Sequence, residues 1–215
     1  TRNNAFRQVG ILAQDPNYQL FCTHVAEDIA YGPRNLGLPE TEVERLVAKA
    51  MELMEVSHLA QRPIHRLSYG EMKRVGLAGL IALRPPLILL DEPTASLDPA
   101  ASQHLVRLLQ HLHGHHGYTF IVVTHDINLA SQIASRIIIL NQGQIIADGN
   151  PRQILTASEL LLAARLEPPI LTQLFQQLFP EAAAAGQIPL TIAEAVHLLS
   201  EPKEQEWKLF KLQAF

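Results

Sequence analysis

The chain lacks several things that mark particular protein classes. It has one cysteine, Cys22, in 215 residues. No disulfide can form within it, and a reducing compartment suits it. It has no excess of basic residues: 17 Lys and Arg stand against 21 Asp and Glu, a formal net charge of −4. A nucleic-acid-binding surface needs a cationic footprint, and this balance offers none. It has no apolar run fit to cross a bilayer. The longest, residues 77–83, lies between Arg74 and Arg84 and falls far short of the roughly 20 residues a spanning helix requires. There is no internal repeat and no long block of like charge, which excludes a solenoid and a polyelectrolyte tail. The length suits one domain, or one plus an appendage.

What is there is an alternation of short apolar strands with helical patterns, which predicts an α/β fold with a parallel sheet. Residues 9–13, 87–90 and 120–123 read as strands of the buried kind. Residues 40–54 read as an amphipathic helix with Val43, Leu46, Val47 and Ala50 on one stripe, started by a capping box of Thr41 and Glu44. Residues 99–112 read as a second helix, with Leu105, Leu108, Leu109 and Leu112 inward. Residues 136–140 and 144–148 form a hairpin pattern around Asn141-Gln142-Gly143. After Gly149-Asn150-Pro151 the composition changes: prolines at 168, 169, 180 and 189 punctuate short helices over 171–179 and 191–199. The expected division is a main domain over 1–150 and a small helical appendage over 151–215.

The chemistry-bearing segments fall in a definite order. Gln14 follows the first strand. Leu67-Ser68-Tyr69-Gly70-Glu71 combines a Ser-x-x-Glu cap with a glycine. It opens a helix whose free N–H groups suit an anion, and Gly70 lets a backbone approach closely. Leu87-Ile88-Leu89-Leu90-Asp91-Glu92-Pro93 is an apolar strand that ends in two carboxylates. Thr94-Ala95-Ser96-Leu97-Asp98 follows it, and Thr124-His125-Asp126 ends the next strand, 33 residues beyond Glu92. An ordinary exposed strand end would not explain the four apolar residues before this carboxylate pair, or the Pro93 and Ser96-Leu97-Asp98 that follow it.

In this order the segments resemble the Q-loop, signature, Walker B, D-loop and H-loop of ATP-binding cassette (ABC) ATPases. The resemblance implies a partial cassette domain with a helical signature subdomain, and ATP and Mg²⁺ as cofactors. By resemblance Asp91 holds Mg²⁺, Glu92 positions and polarises the attacking water, and His125 contacts the γ-phosphate and that water. Gln14 binds Mg²⁺ or water and senses a membrane partner. Ser68, Gly70 and Glu71 face the nucleotide of a second subunit, and Asp98 lies in the D-loop. Tyr69 and Glu71 depart from the commoner Gly and Gln. A glutamate beside a phosphate would repel it, unless its carboxylate folds back onto the Ser68 N–H.

The phosphate-cradling GxxxxGK[ST] is not in this sequence. Only Gly32 and Gly37 have the glycine spacing, and Leu38-Pro39 follows them. The expectation is a fragment lacking its first strand and Walker A; the alternative is a degenerate subunit. Gln14-Asp15-Pro16-Asn17-Tyr18-Gln19-Leu20-Phe21 resembles the extended Q-loop of the energy-coupling-factor importers, and Tyr69 with Lys73-Arg74-Val75, and Leu166-Glu167-Pro168-Pro169-Ile170-Leu171, are similar to their cobalt and nickel members. That resemblance implies an ATPase at the cytoplasmic face of the cell membrane, bound to a second ABC ATPase subunit, identical or not, a transmembrane scaffold subunit and a substrate-binding membrane subunit. Gln19, Leu20 and Phe21 are then the exposed anchor towards the scaffold, against a reading in which they fill the core. A vitamin importer, a non-hydrolysing docking subunit and a DNA-repair ABC ATPase stand as alternatives. The last needs a coiled-coil insertion, for which the 54 steps from Gln14 to Ser68 leave no room. His111, His113, His115 and His116 cluster at an expected helix end and read as a solvated connector.

Overall fold

Packing divides the chain after Thr124 into two compact units. The computed structural model describes residues 8–200; residues 1–7, and the last part of the expected appendage, 201–215, lie outside the described residues.

The first unit is built on three parallel strands, β1 (Val9–Leu12), β2 (Leu87–Asp91) and β3 (Thr119–Val123), in the order β1-β2-β3. Leu12 lies opposite Leu90, and Leu90 opposite Val122. Parallel neighbours require crossovers. Four longer helices supply them: α1 (Val25–Asn35), α2 (Glu40–Leu53), α3 (Tyr69–Leu83) and α4 (Pro99–His116). Period-two alternation sends Leu12, Ile88 and Leu90 into one core with Val43, Val47 and Ala50 of α2, Leu77 and Ile81 of α3, and Leu105, Leu108, Leu109 and Leu112 of α4. On the other face Ile11, Ile121 and Val123 are 53%, 49% and 59% exposed. Residues 120–123 are therefore not the wholly buried strand their apolar run suggests. Phe120 and Val122 pack on the core, and the alternate residues Ile121 and Val123 are exposed.

Two helix boundaries also differ from expectation. Helix α2 starts at Glu40 with Pro39 at its N-cap and no side-chain cap, so Thr41 and Glu44 do not form a capping box. Pro39 holds an extended backbone there, φ −57° and ψ 144°, and the Glu40 carboxylate pairs with Arg34 instead. Helix α4 runs four residues past Leu112, through all four histidines, because its stop is Gly117 in the left-handed region, φ 70°. The Gly32/Gly37 pair has structural work. Gly32 lies inside α1, where a Cβ would come within 2.9 Å of Leu83, and Gly37 turns the chain out of that helix at φ 71°.

The second unit begins with α5 (Ile127–Ile133), capped by the Asp126 carboxylate on the N–H groups of Asn128 and Leu129. Strands β4 (Ile137–Asn141) and β5 (Gln144–Gly149) follow as an antiparallel hairpin. Its turn residues Gln142 and Gly143 both have positive φ, 50° and 77°, which matches the right-handed twist of the strands. Five short helices complete it: α6 (Pro151–Leu155), α7 (Ser158–Ala163), α8 (Ile170–Leu178), α9 (Pro180–Ala184) and α10 (Ile192–Ser200). Ile139, Ile154 and Leu161 form one small core, and Phe175, Ile188 and Ala195 another. Arg152 of α6 ties them, donating to the Ile188 carbonyl and to the Glu194 carboxylate. Among the described residues no helix is long and apolar enough to cross a membrane.

Candidate functional site

Ligands of open α/β sheets gather at the carboxyl ends of the strands. Here the row Leu12, Leu90 and Val122 marks that end. Gln14, Glu92 and Thr124 each lie two positions beyond it.

Glu92 is held from several sides. Its backbone is in the left-handed region, φ 44°, where a residue with a side chain persists only if its surroundings over-determine it. Its N–H donates to the Val123 carbonyl at 2.9 Å, and its own carbonyl accepts from Ala95 N at 3.1 Å. Its carboxylate Oε2 accepts from the Thr124 hydroxyl at 3.1 Å. From α3, Lys73 Nζ donates to the same Glu92 carbonyl at 2.7 Å. Asp91, the last residue of β2, is exposed.

Ser68 caps α3. Its hydroxyl accepts from Glu71 N at 3.3 Å, and Glu71 Oε2 accepts from Ser68 N at 2.7 Å, a full capping box. The Glu71 carboxylate thus folds back, and Arg62 meets it at 3.1 Å. Burial works to raise the Glu71 carboxyl; the Ser68 N–H and hydroxyl and the charges of Arg62 and Arg74 outweigh it and hold it below the ordinary range. A Cβ at Gly70 would meet only Ala101 at 3.5 Å and Leu97 at 3.7 Å. That is ordinary contact, so among the described residues no steric clash requires glycine there.

Helix α3 links these parts. The Tyr69 hydroxyl donates to the Gln14 carbonyl at 3.2 Å. Lys73, one turn on, is fully buried, with its ammonium 5.6 Å from the Tyr69 ring centre. Burial pushes the Lys73 ammonium down from its usual pKa, opposed by the carboxylates of Glu92, Asp91 and Asp15. The structure therefore brings together Gln14, Tyr69, Lys73, Glu92 and Thr124. Asp98 caps α4, its carboxylate accepting from Ala101 N at 2.9 Å. His125 opens the second unit as an exposed residue.

The sequence reading passed over Lys73 and Thr124 as site residues. Lys73 had a signal: with Leu77 and Ile81 it forms an i, i+4, i+8 row that is buried throughout. The anchor expected from Gln19, Leu20 and Phe21 divides. Gln19 bridges the end of β1, donating to the Ile11 carbonyl at 2.6 Å and accepting from Ala13 N at 2.9 Å. Leu20 is in the core. Only Phe21 stands out, 64% exposed and edge-on to the Tyr31 ring at 4.6 Å. In the histidine cluster, His111 lies 4.8 Å from His115 and 5.2 Å from His116, ring centre to centre. Burial and the neighbouring His111, Lys49 and His115 hold His116 below its ordinary value. Among the described residues no group of three His, Cys, Asp or Glu is arranged to hold a metal ion.

The chain matches a family model described as "AAA domain, putative AbiEii toxin, Type IV TA system" over residues 6–131, more than half its length. It is 42% identical over 193 residues to the energy-coupling factor transporter ATP-binding protein EcfA of Methanothermobacter thermautotrophicus, covering 90% of this chain and 61% of that protein. It is 37% identical over 198 residues to the EcfA of Methanococcus maripaludis, covering 92% and 71%. The chain thus spans about three fifths of the first relative and about seven tenths of the second. Among solved structures it is similar to CbiO1 from Clostridium perfringens, described as part of the ABC transporter complex CbiONQ. The TM-score is 0.68 at 31% identity, over 85% of this chain and 68% of that one. The α/β fold is that of the ABC ATPases, and the chain belongs to the ATP-binding proteins of ABC transporters, with the energy-coupling factor type among its relatives.

Proposed function

We propose that this chain is the larger part of an ATP-binding and ATP-hydrolysing subunit of an energy-coupling-factor importer. One observation carries the reading: the first turns of α3 hydrogen-bond the Gln14 carbonyl through Tyr69 and the Glu92 carbonyl through Lys73. The segments that serve a nucleotide in this family are thereby joined in one small region. Asp91, Glu92 and Gln14 offer oxygen donors of the kind a hard divalent cation takes. Asp91 and Gln14 would hold Mg²⁺, which neutralises phosphate charge when bound. Glu92 would orient the attacking water and take up its proton at the carboxylate, with Thr124 fixing one of its oxygens. By family resemblance His125 is the residue expected to contact the γ-phosphate.

The capped N-terminus of α3 would face the nucleotide of a second ATPase subunit. The folded-back Glu71 removes the repulsion its charge would exert, and the glycine at 70, which no steric clash among the described residues requires, leaves room for a phosphate. Asp98 would lie near the same interface. The phosphate loop would be supplied by part of the whole protein outside this sequence. The exposure of Ile11, Ile121 and Val123 on one face supports this, because parallel sheets are covered on both sides. Residues 151–200 would belong to a helical appendage. Phe21 and Tyr31 would meet a transmembrane scaffold subunit at the cytoplasmic face of the membrane, beside a substrate-binding membrane subunit. A cobalt or nickel cargo is favoured over a vitamin by the sequence features shared with the metal members.

The test is Glu92→Gln in the complete protein assembled with its partners. ATP hydrolysis is expected to vanish while Mg-ATP binding stays and the ATPase dimer remains closed. Near-normal turnover, with a dimer that still dissociates in ATP, overturns the reading.

A further inference from the structure

Lys73 poses a question that stability does not answer. Its side chain is fully buried, and a buried ammonium is costly enough that an apolar residue of similar length commonly serves a fold as well or better. What the ammonium does is geometric. Three polar groups of Glu92 are held: its N–H by the Val123 carbonyl, its carboxylate by the Thr124 hydroxyl, and its carbonyl by the Ala95 N–H of the following turn at 3.1 Å and, more closely, by Lys73 at 2.7 Å. The first two anchors come from β3 and the residue after it, inside the strand framework. Lys73 reaches in from outside it, from α3, whose first turn carries Ser68 and Gly70. At φ 44° the Glu92 backbone has no steric preference to keep it in place. The orientation of the peptide after Glu92 therefore depends on what grips its carbonyl.

We propose that Lys73 is a positioning residue for hydrolysis, locking the Glu92 carbonyl so that the attitude of the catalytic carboxylate follows the attitude of helix α3. The inference rests on the reading of Glu92 as the catalytic carboxylate. A shift of α3 as its N-terminus meets the second subunit's nucleotide is then transmitted through one hydrogen bond to the water-orienting group of this subunit. Tyr69, on the same turn, transmits the same shift to the backbone of Gln14.

The experiment measures ATPase kinetics, ATP-driven closure and thermal melting of the complete assembled protein in four forms: wild type, Lys73→Met, Lys73→Gln and Glu92→Gln. Methionine keeps the length and removes the donor; glutamine restores an N–H donor without the charge. Lys73→Met is expected to lower kcat on the order of 10²-fold, with KM for Mg-ATP and closure within about twofold of wild type. Its melting temperature is expected to be unchanged or raised, and Lys73→Gln to recover much of the lost rate. A Lys73→Met kcat within about threefold of wild type, beside an inactive Glu92→Gln, overturns the role of Lys73 and leaves Glu92 standing. Turnover surviving in Glu92→Gln overturns the reading of Glu92, and this inference with it. A Lys73→Met protein that melts lower, loses ATP binding in proportion or does not fold shows a structural prop and overturns the positioning role.

Discussion

The Tyr69 hydroxyl reaches across 55 positions of sequence to the main-chain carbonyl of Gln14, 3.2 Å away. The bond is solvent-accessible, so its net worth lies at the low end for a neutral pair, about 0.5 kcal/mol. Tyr69→Phe should lower the unfolding free energy by that much and no more, because the ring keeps its place near Lys73. Denaturant unfolding of the complete protein measures it. A loss several times larger would mean that the hydroxyl holds more than this carbonyl.

Leu20 and Phe21 are neighbours with opposite fates, and paired substitutions separate them. Leu20 is buried, so Leu20→Ala should cost about 2–5 kcal/mol. Phe21 is largely exposed and meets the Tyr31 ring edge-on, so Phe21→Ala should cost about 1 kcal/mol. Co-purification with the membrane scaffold should show the reverse ranking, with Phe21→Ala failing to assemble while still folded. Equal recovery of the scaffold with both variants would remove Phe21 from the docking surface.

Gly32 sets the distance between α1 and α3. An added Cβ would come within 2.9 Å of Leu83 Cδ2, so Gly32→Ala should destabilise by about 1–3 kcal/mol. Leu83→Ala opens the space the new methyl needs. The double variant should therefore be more stable than the sum of the two single losses implies. Simple additivity in thermal melts would show that the helices do not touch there.

Glu71 makes a pH prediction with a definite sign. Its carboxyl sits below the ordinary value of 4.5 in the folded protein. As acid is added, the unfolded chain takes the proton first. The stabilisation is complete above about pH 4.5 and is lost as pH falls through and below it. The stability gap between wild type and Glu71→Gln should therefore narrow from about pH 6 to about pH 3. A gap that stays constant, or widens in acid, would contradict the fold-back onto Ser68.

Where periodicity decides the packing, the sequence was readable. The stripe Val43, Leu46, Val47 and Ala50 is buried as its spacing requires, and the carboxylate pair at 91 and 92 stands at the end of β2 with the Ser68 box at the head of α3. Where tertiary contacts decide, it was not. Gly114 looks like a helix breaker, yet α4 passes through it and ends at Gly117, because only Gly117 adopts the left-handed conformation. A lysine reads as surface, and only its row with Leu77 and Ile81 betrayed Lys73. The loop after Gln14 has no period, so nothing in it told Leu20 from Phe21. Thr124 is identified as a partner of Glu92 only by the bond itself.

The uncovered side of the β1-β2-β3 sheet has a practical corollary. Ile11, Ile121 and Val123 line one face of strands that stack side by side, and such a surface attracts other apolar surfaces in proportion to its area. A preparation of these residues alone should self-associate as it is concentrated and should bind fluorescent hydrophobic dyes. Its light scattering would then report crowding of bare sheets rather than the specific pairing that nucleotide drives, so dimer assays belong on the intact assembly.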